Sequence, residues 1–134
     1  MDTGKSALGL DGNVAAALGY PVGIIAIICL IMEKENRFVK FHALQSILLH
    51  VCFMVLAIVV WIIGIILFFL GMAASVATNS AAASGLTTMI FVVIWLALIA
   101  AYLGGLIFAA VKSYGGNYFK LPVIGNMAEK FANK

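Results

Sequence analysis

Acidic side chains are scarce in this sequence, and none lies in a long apolar run. Asp2, Asp11, Glu33, Glu35 and Glu129 are the full set, in a chain that is only 10% charged. General acid–base work by paired carboxylates needs such groups close to a substrate, and the apolar runs supply none. Cysteine is limited to Cys29 and Cys52, both in apolar stretches. They read as small hydrophobes rather than as a disulfide framework or a metal site. The strings of a nucleophile elbow, a zinc protease, a phosphate loop and a dinucleotide fold are missing as well. These absences argue against an enzyme and lead us to expect neither a cofactor nor a metal.

What the chain does have is hydrophobicity. It holds 134 residues, 65% of them hydrophobic, with a mean hydropathy of +1.18. Soluble domains carry about 25% charge, so most of this surface is expected to face lipid. The length suits one domain over 1–134. The net charge is +3, but the basic residues flank the apolar runs. Membrane topology accounts for them better than nucleic acid does.

Residues Met1–Gly12 form a short polar lead with too few basic groups for a good secretory signal. A first span is expected over 14–32, kinked at Pro21. A charged hinge, Glu33–Lys40, stops it. The second span is set at 43–70, and its Val51–Leu70 run is wholly apolar. Twenty residues at ~1.5 Å rise cover ~30 Å, the thickness of a bilayer's hydrocarbon core. Trp61 lies deep in that span and is expected to pack against a helix. Met72–Gly85 is an uncharged connector, and the third span is set at 87–111.

The tail, 114–134, breaks from the third span at Gly115-Gly116, and Pro122 suits the start of a new helix. Val123 or Ile124, Met127, Ala128 and Phe131 share one face, with Asn126, Glu129, Lys130 and Asn133 on the other. The fold class is therefore all-α integral membrane: three transmembrane helices plus a short C-terminal amphipathic interfacial helix. Arg37, Lys40, Tyr118 and Lys120 are expected at the membrane interface.

Small residues four apart suggest close helix packing. Ala15, Gly19 and Gly23 form one such stripe, and Ala97, Ala101, Gly105 and Ala109 form another. The two are expected to face each other. Topology follows from charge. Three spans leave Lys5 on one side and seven basic residues on the other: Lys34, Arg37, Lys40, Lys112, Lys120, Lys130 and Lys134. The positive side faces the cytoplasm, which puts the N-terminus outside and the C-terminus inside.

His42, Ser46 and His50 recur every four residues, with Gln45 beside them, and so line one helix edge. Polar groups at a bilayer rim are costly without partners. One reading is a satisfied seam between helices, and another is a partner-docking edge. A third makes His50 an axial ligand to haem or pigment. His42 and His50 lie two turns apart, ~12 Å, too far to share a metal. Three helices this apolar supply too few polar groups to line a pore alone.

The string Phe38-Val39-Lys40-Phe41-His42-Ala43-Leu44-Gln45-Ser46 resembles the signature of a large family of small bacterial membrane proteins. The family is a domain of unknown function related to the chloroplast inner-envelope protein-import channel component. Tyr118-Phe119-Lys120-Leu121-Pro122-Val123-Ile124-Gly125 resembles its second motif. The resemblance covers roughly Asp11 to Phe131. It implies a bacterial inner-membrane protein without catalytic residues. Plant members are core parts of a protein-conducting complex, and some bacterial members influence magnetite growth in the magnetosome membrane. The expected function is a non-enzymatic integral membrane subunit. Its partners would be the lipid bilayer, other membrane proteins or a second copy of itself, and no nucleic acid. An oligomeric channel for proteins or small solutes, and an accessory subunit binding haem or pigment through His50, are the alternatives.

Overall fold

The computed structural model describes residues 3–132. Among them it is helical, with one isolated bridge between Lys5 and Asp11 and no named strand. The helices are α1 (Gly12–Gly19), α2 (Gly23–Met32), α3 (Arg37–Thr78), α4 (Ala82–Tyr114) and α5 (Ile124–Ala132). The helices α3 and α4 are long and apolar enough to cross a membrane. The chain divides into two compact units: residues 1–52 with 102–134, and residues 53–101.

The first apolar stretch corrects the three-span reading. Residues 14–32 are not one kinked helix. They are the 8-residue α1 and the 10-residue α2, folded back on each other. Pro21 has no N–H to continue the ladder, so α1 stops and the chain turns over Tyr20–Val22. A Cβ on Gly19 would lie 3.4 Å from the Ala26 Cβ, and Ala15, Ala16, Ala26 and Cys29 share one core. At the other end, a Cβ on Gly12 would lie 3.1 Å from the Asn36 side-chain nitrogen. The start of α1 and the end of α2 therefore lie together. At ~1.5 Å per residue each arm covers ~12–15 Å, about half of a hydrocarbon core.

The position of the lead relative to the hinge is corrected with it. The lead is an ordered loop beside the hinge, not a tail across the membrane from it. Asn36 Nδ2 donates to the Thr3 carbonyl at 2.7 Å and the Lys5 carbonyl at 3.1 Å. Its Oδ1 accepts from the N–H groups of Phe38 and Val39, capping α3. Buried Glu33 accepts from the N–H groups of Ala7 at 2.8 Å and Asn36 at 3.1 Å. Asn13 Nδ2 reaches the Tyr114 carbonyl at 2.9 Å. Lead, hinge and tail thus meet at one end of the first unit. Asp2, Asn133 and Lys134 lie outside the described residues.

The helix α4 ends at the glycine pair as its sequence predicts. Gly116 adopts φ +72°, and the N–H groups of Gly115, Gly116 and Asn117 bond the carbonyls of Val111, Ser113 and Lys112. The helix α5 docks by its small residues, and of the expected apolar face only Ala128 is buried against α3. Gly125, Ala128 and Ala132 are buried, with Ala128 and Ala132 against Phe41, Leu44 and Leu48. Val123, Met127 and Phe131 stay exposed. The reason is distance: small side chains let the helix axis approach α3, and bulky ones would hold it off.

The second unit is a hairpin of α3 and α4 joined at residues 79–81. The expected connector is mostly helix, because its alanines extend both helices. Asn79 adopts φ 51° at the turn. The helices approach closely where Gly64 meets the Phe91 ring and Gly71 meets Thr87. Thr78, Thr87 and Thr88 return their hydroxyls to carbonyls within their own helix, which limits the polar surface shown to lipid. Trp61 is 61% exposed, contrary to the expectation that it would pack against a helix. A two-helix hairpin has too little interior to bury it.

Candidate functional site

The sequence motif at the start of α3 builds a closed polar core. Positions 38, 39, 41, 42, 43, 45 and 46 are all buried. His42, Gln45 and Ser46 are 0% exposed, as is Tyr20 from the turn after α1.

Every polar atom of these side chains that is buried has a partner. His42 Nε2 lies 3.0 Å from the Asn117 carbonyl oxygen, so this nitrogen carries the hydrogen. Its Nδ1 then accepts from the Tyr20 hydroxyl at 3.0 Å. Gln45 Nε2 donates to the Tyr20 hydroxyl at 2.7 Å and to the Phe119 carbonyl at 3.1 Å. Gln45 Oε1 accepts from the Leu121 N–H at 3.1 Å. Ser46 donates to the Gly19 carbonyl at 2.7 Å, which covers an acceptor left at the end of α1.

Aromatic rings wall this network. Phe38 and Phe41 stand edge-on to the His42 ring at 4.5 and 5.0 Å, and Tyr118 stacks on it at 6.3 Å. Burial raises the Tyr118 hydroxyl above the usual tyrosine range, and Arg37 opposes that rise. Residues from three separated stretches therefore converge: the α1–α2 turn, the start of α3, and the tail at 117–121.

This arrangement corrects the partner-docking edge. His42, Gln45 and Ser46 face inward and are saturated within the chain, so they offer no surface to another protein. His50 is half-buried. Its Nδ1 donates to the Ser46 carbonyl at 2.8 Å, and its ring meets Tyr102 edge-on at 5.8 Å. Of the interface residues, Arg37, Tyr118 and Lys120 are exposed and Lys40 is partly so. Lys120 pairs with Glu129 at 2.8 Å across the start of α5. Among the described residues, no three metal-ligating side chains gather.

Within the first unit, the small residues of the two stripes meet several different partners. A Cβ on Gly23 would lie 3.5 Å from His50 Nε2, and one on Gly105 would lie 3.9 Å from Leu49 Cδ2 of α3. Ala15 and Gly19 serve the contact between α1 and α2, while Ala109 packs with Tyr20 and Leu106. Ala97 and Ala101 are exposed. The turn at Pro21 redirects α2, while α1 keeps contact with the last turns of α4 through Asn13 on the Tyr114 carbonyl and Tyr20 on Ala109.

Two residues of this core, one outside the motifs and one at the end of the second, have roles that the sequence reading did not assign. Tyr20 is the hub of the network, and its neighbour Pro21 was the available signal that the helix ends there. Gly125 is the other: a Cβ there would lie 2.6 Å from the Lys120 Cβ and 2.9 Å from Gln45 Oε1. Only a bare α-carbon lets α5 begin at this spot.

The residues that meet in this core come from both motif segments, and comparison with known proteins covers the same stretch. A family described as the magnetosome magnetite crystal formation protein family matches residues 7–128. The chain belongs to this family. A UPF0132 membrane protein of Methanocaldococcus jannaschii is 38% identical over 130 residues, 96% of each chain. A second one from that organism is 32% identical, over 93% of this chain and 73% of the relative. One from Archaeoglobus fulgidus is 34% identical, over 88% of this chain and 92% of the relative. No solved structure matches. The family members named here are membrane proteins, in keeping with the two long apolar helices of this chain.

Proposed function

We propose that this family member is a non-enzymatic integral membrane subunit that acts by assembling with other membrane proteins. The observation that supports this reading is the closed polar core. Its most reactive side chains, His42, Ser46 and Tyr20, are each 0% exposed and engaged in internal bonds. They hold the α1–α2 turn, α3 and the tail together, and none of these three side chains stands at an open cleft. The same closure disfavours a conduit, because the buried polar side chains spend their hydrogen bonds within the chain. The family's description concerns crystal formation, a role that a non-catalytic membrane protein can fill by organising partners.

The orientation we propose places lead, hinge and tail together in the cytoplasm. Lys5, Lys34, Arg37, Lys40, Lys112, Lys120 and Lys130 belong to these segments, and residues 79–81 hold no Lys or Arg. That bias follows the positive-inside rule with two spans, α3 and α4. The relatives are archaeal, so a bacterial inner membrane rests on the motif resemblance alone.

Purification in mild detergent from native membranes, followed by mass spectrometry, tests the subunit reading. Defined membrane proteins should co-purify in fixed ratio. Robust solute flux from the pure protein in liposomes, with no partner retained, would overturn it in favour of a channel.

A further inference from the structure

Three short helices of the first unit meet α3 over one limited stretch. The α1–α2 pair packs on Phe38, Val39 and Ala43, and Ser46 donates to the Gly19 carbonyl. A Cβ on Gly23, where α2 begins, would lie 3.5 Å from His50 Nε2. The helix α5 packs on Phe41, Leu44 and Leu48. These contacts fall between positions 38 and 50. That length of helix covers ~20 Å, about the thickness of one leaflet with its headgroups, since a whole bilayer measures ~40–45 Å. The run 51–70 that follows is long enough by itself for the hydrocarbon core.

The exposed side chains of these helices are aliphatic where they could touch lipid. On α2, Ile24, Ile27, Ile28 and Ile31 are exposed, Ile24 by 69% and Ile31 by 72%. Residues 12–32 hold no Asp, Glu, Lys or Arg. On α5, Met127 is exposed, and Val123 just ahead of that helix is 74% exposed. Beyond His50, Val51 and Met54 of α3 are exposed and apolar too, so the same kind of surface continues into the spanning run. Polar segments close it at the other end, where Asn36 of the hinge holds the Thr3 and Lys5 carbonyls of the lead. An uncharged isoleucine face set between a polar rim and a spanning run matches acyl chains. With 8 and 10 residues, neither α1 nor α2 is long enough to reach the opposite leaflet.

We propose that α1, α2 and α5 occupy the headgroup and upper acyl region of one leaflet, the one on the lead and hinge side, and that the protein thereby selects membranes convex toward that side. Short helices at this depth push the lipids of one leaflet apart and leave the other leaflet as it was. Bending the membrane outward on their side relieves the mismatch, because a convex leaflet has gaps between its headgroups that the exposed isoleucines fill. The partner is a curved lipid surface, and no headgroup charge is needed. This inference rests on the membrane reading, and not on the subunit reading or on which side is cytoplasmic.

Vesicles of phosphatidylcholine alone, which carries no net charge, test it with the full chain and no partner protein. The chain is reconstituted by detergent removal, and the vesicles are separated by size. Protein per lipid should be at least twofold higher in vesicles below about 50 nm than in those above about 200 nm. In a chain with Cys29 and Cys52 replaced by alanine, Ala7→Cys should be labelled from outside by an impermeant maleimide in most molecules of the small vesicles. Ile24→Gln with Ile31→Gln, at exposed positions, should at least halve the size preference. Val76→Gln with Leu86→Gln, equally exposed but near the turn of the α3–α4 hairpin, should leave it intact. Equal protein per lipid in small and large vesicles for the wild-type chain would overturn the proposal whether or not any variant folds. Enrichment in small vesicles with the lead facing the lumen would overturn it too. A wild-type dimer that is lost in Ile24→Gln with Ile31→Gln, without any size preference, would assign this face to a second copy of the chain instead.

Discussion

The side-chain amide of Gln45 donates to the Tyr20 hydroxyl over 2.7 Å, and neither residue is exposed to solvent. This bond ties the turn that ends α1 to the first turns of α3, and the same amide also reaches the tail. Replacing Gln45 by Leu orphans the Phe119 carbonyl and the Leu121 N–H. Each orphaned buried group costs about 1–3 kcal/mol. Thermal unfolding in detergent should fall clearly for Gln45→Leu and for Tyr20→Phe. The double variant should lose less than the sum of the two, by at least the ~0.6 kcal/mol typical of a membrane hydrogen bond. Strict additivity would show that the two side chains act independently.

Gly125 makes a sharp test of how the tail docks. Its missing Cβ would lie within 2.6–2.9 Å of Lys120 and Gln45 Oε1. Gly125→Ala should therefore lift α5 from Phe41 and Leu44, although alanine is the better helix former. Tryptic cleavage in the tail should accelerate severalfold. Asn126→Ala, at an exposed neighbouring position, should leave cleavage unchanged.

Topology separates the folded-back α1–α2 pair from a true span. In a chain with Cys29 and Cys52 replaced by alanine, cysteines are placed singly at Ala7, Ser80 and Lys130. All three positions are exposed. A membrane-impermeant maleimide added outside cells should label Ser80→Cys only. Labelling of Ala7→Cys together with Ser80→Cys would restore the three-span arrangement.

The α3–α4 hairpin gives a fourth test. The Phe91 ring occupies the space beside Gly64, whereas nothing lies within 4 Å of the Cβ position of Gly85. Gly64→Val should destabilise the hairpin by about 1–3 kcal/mol, the usual cost of overpacking. Gly85→Val should be close to neutral. Equal melting temperatures for the two variants would argue against this contact.

How much was legible in the sequence depends on which kind of energy decided each feature. The apolar runs that became α3 and α4 were plain, because transfer into lipid depends mainly on composition over about 20 residues. The glycine pair at 115–116 marked its helix end for a local reason, as glycine takes positive φ without strain. The periodicity of His42, Ser46 and His50 placed them on one edge, but it did not say what that edge meets. Tyr20, Asn117, Phe119 and Leu121 answer that question, and 74–76 residues separate the tail contacts from α3.

The sequence by itself determined that this chain is a membrane protein, that the runs now in α3 and α4 are long and apolar enough to cross a bilayer, and that charge gathers at particular segments; it also counted residues 14–32 as a third span. Hydropathy and charge are sums along the chain, so they survive without knowledge of the fold. Only the tertiary structure decided that residues 14–32 turn back at Pro21 and that lead, hinge and tail meet. A proline states that a helix loses a bond; it does not state where the chain goes next. Here the direction was set by Tyr20 bonding His42 and Gln45, and by Asn36 holding the Thr3 and Lys5 carbonyls. These partners are distant in sequence, and a buried polar group is stable only where all of them arrive together.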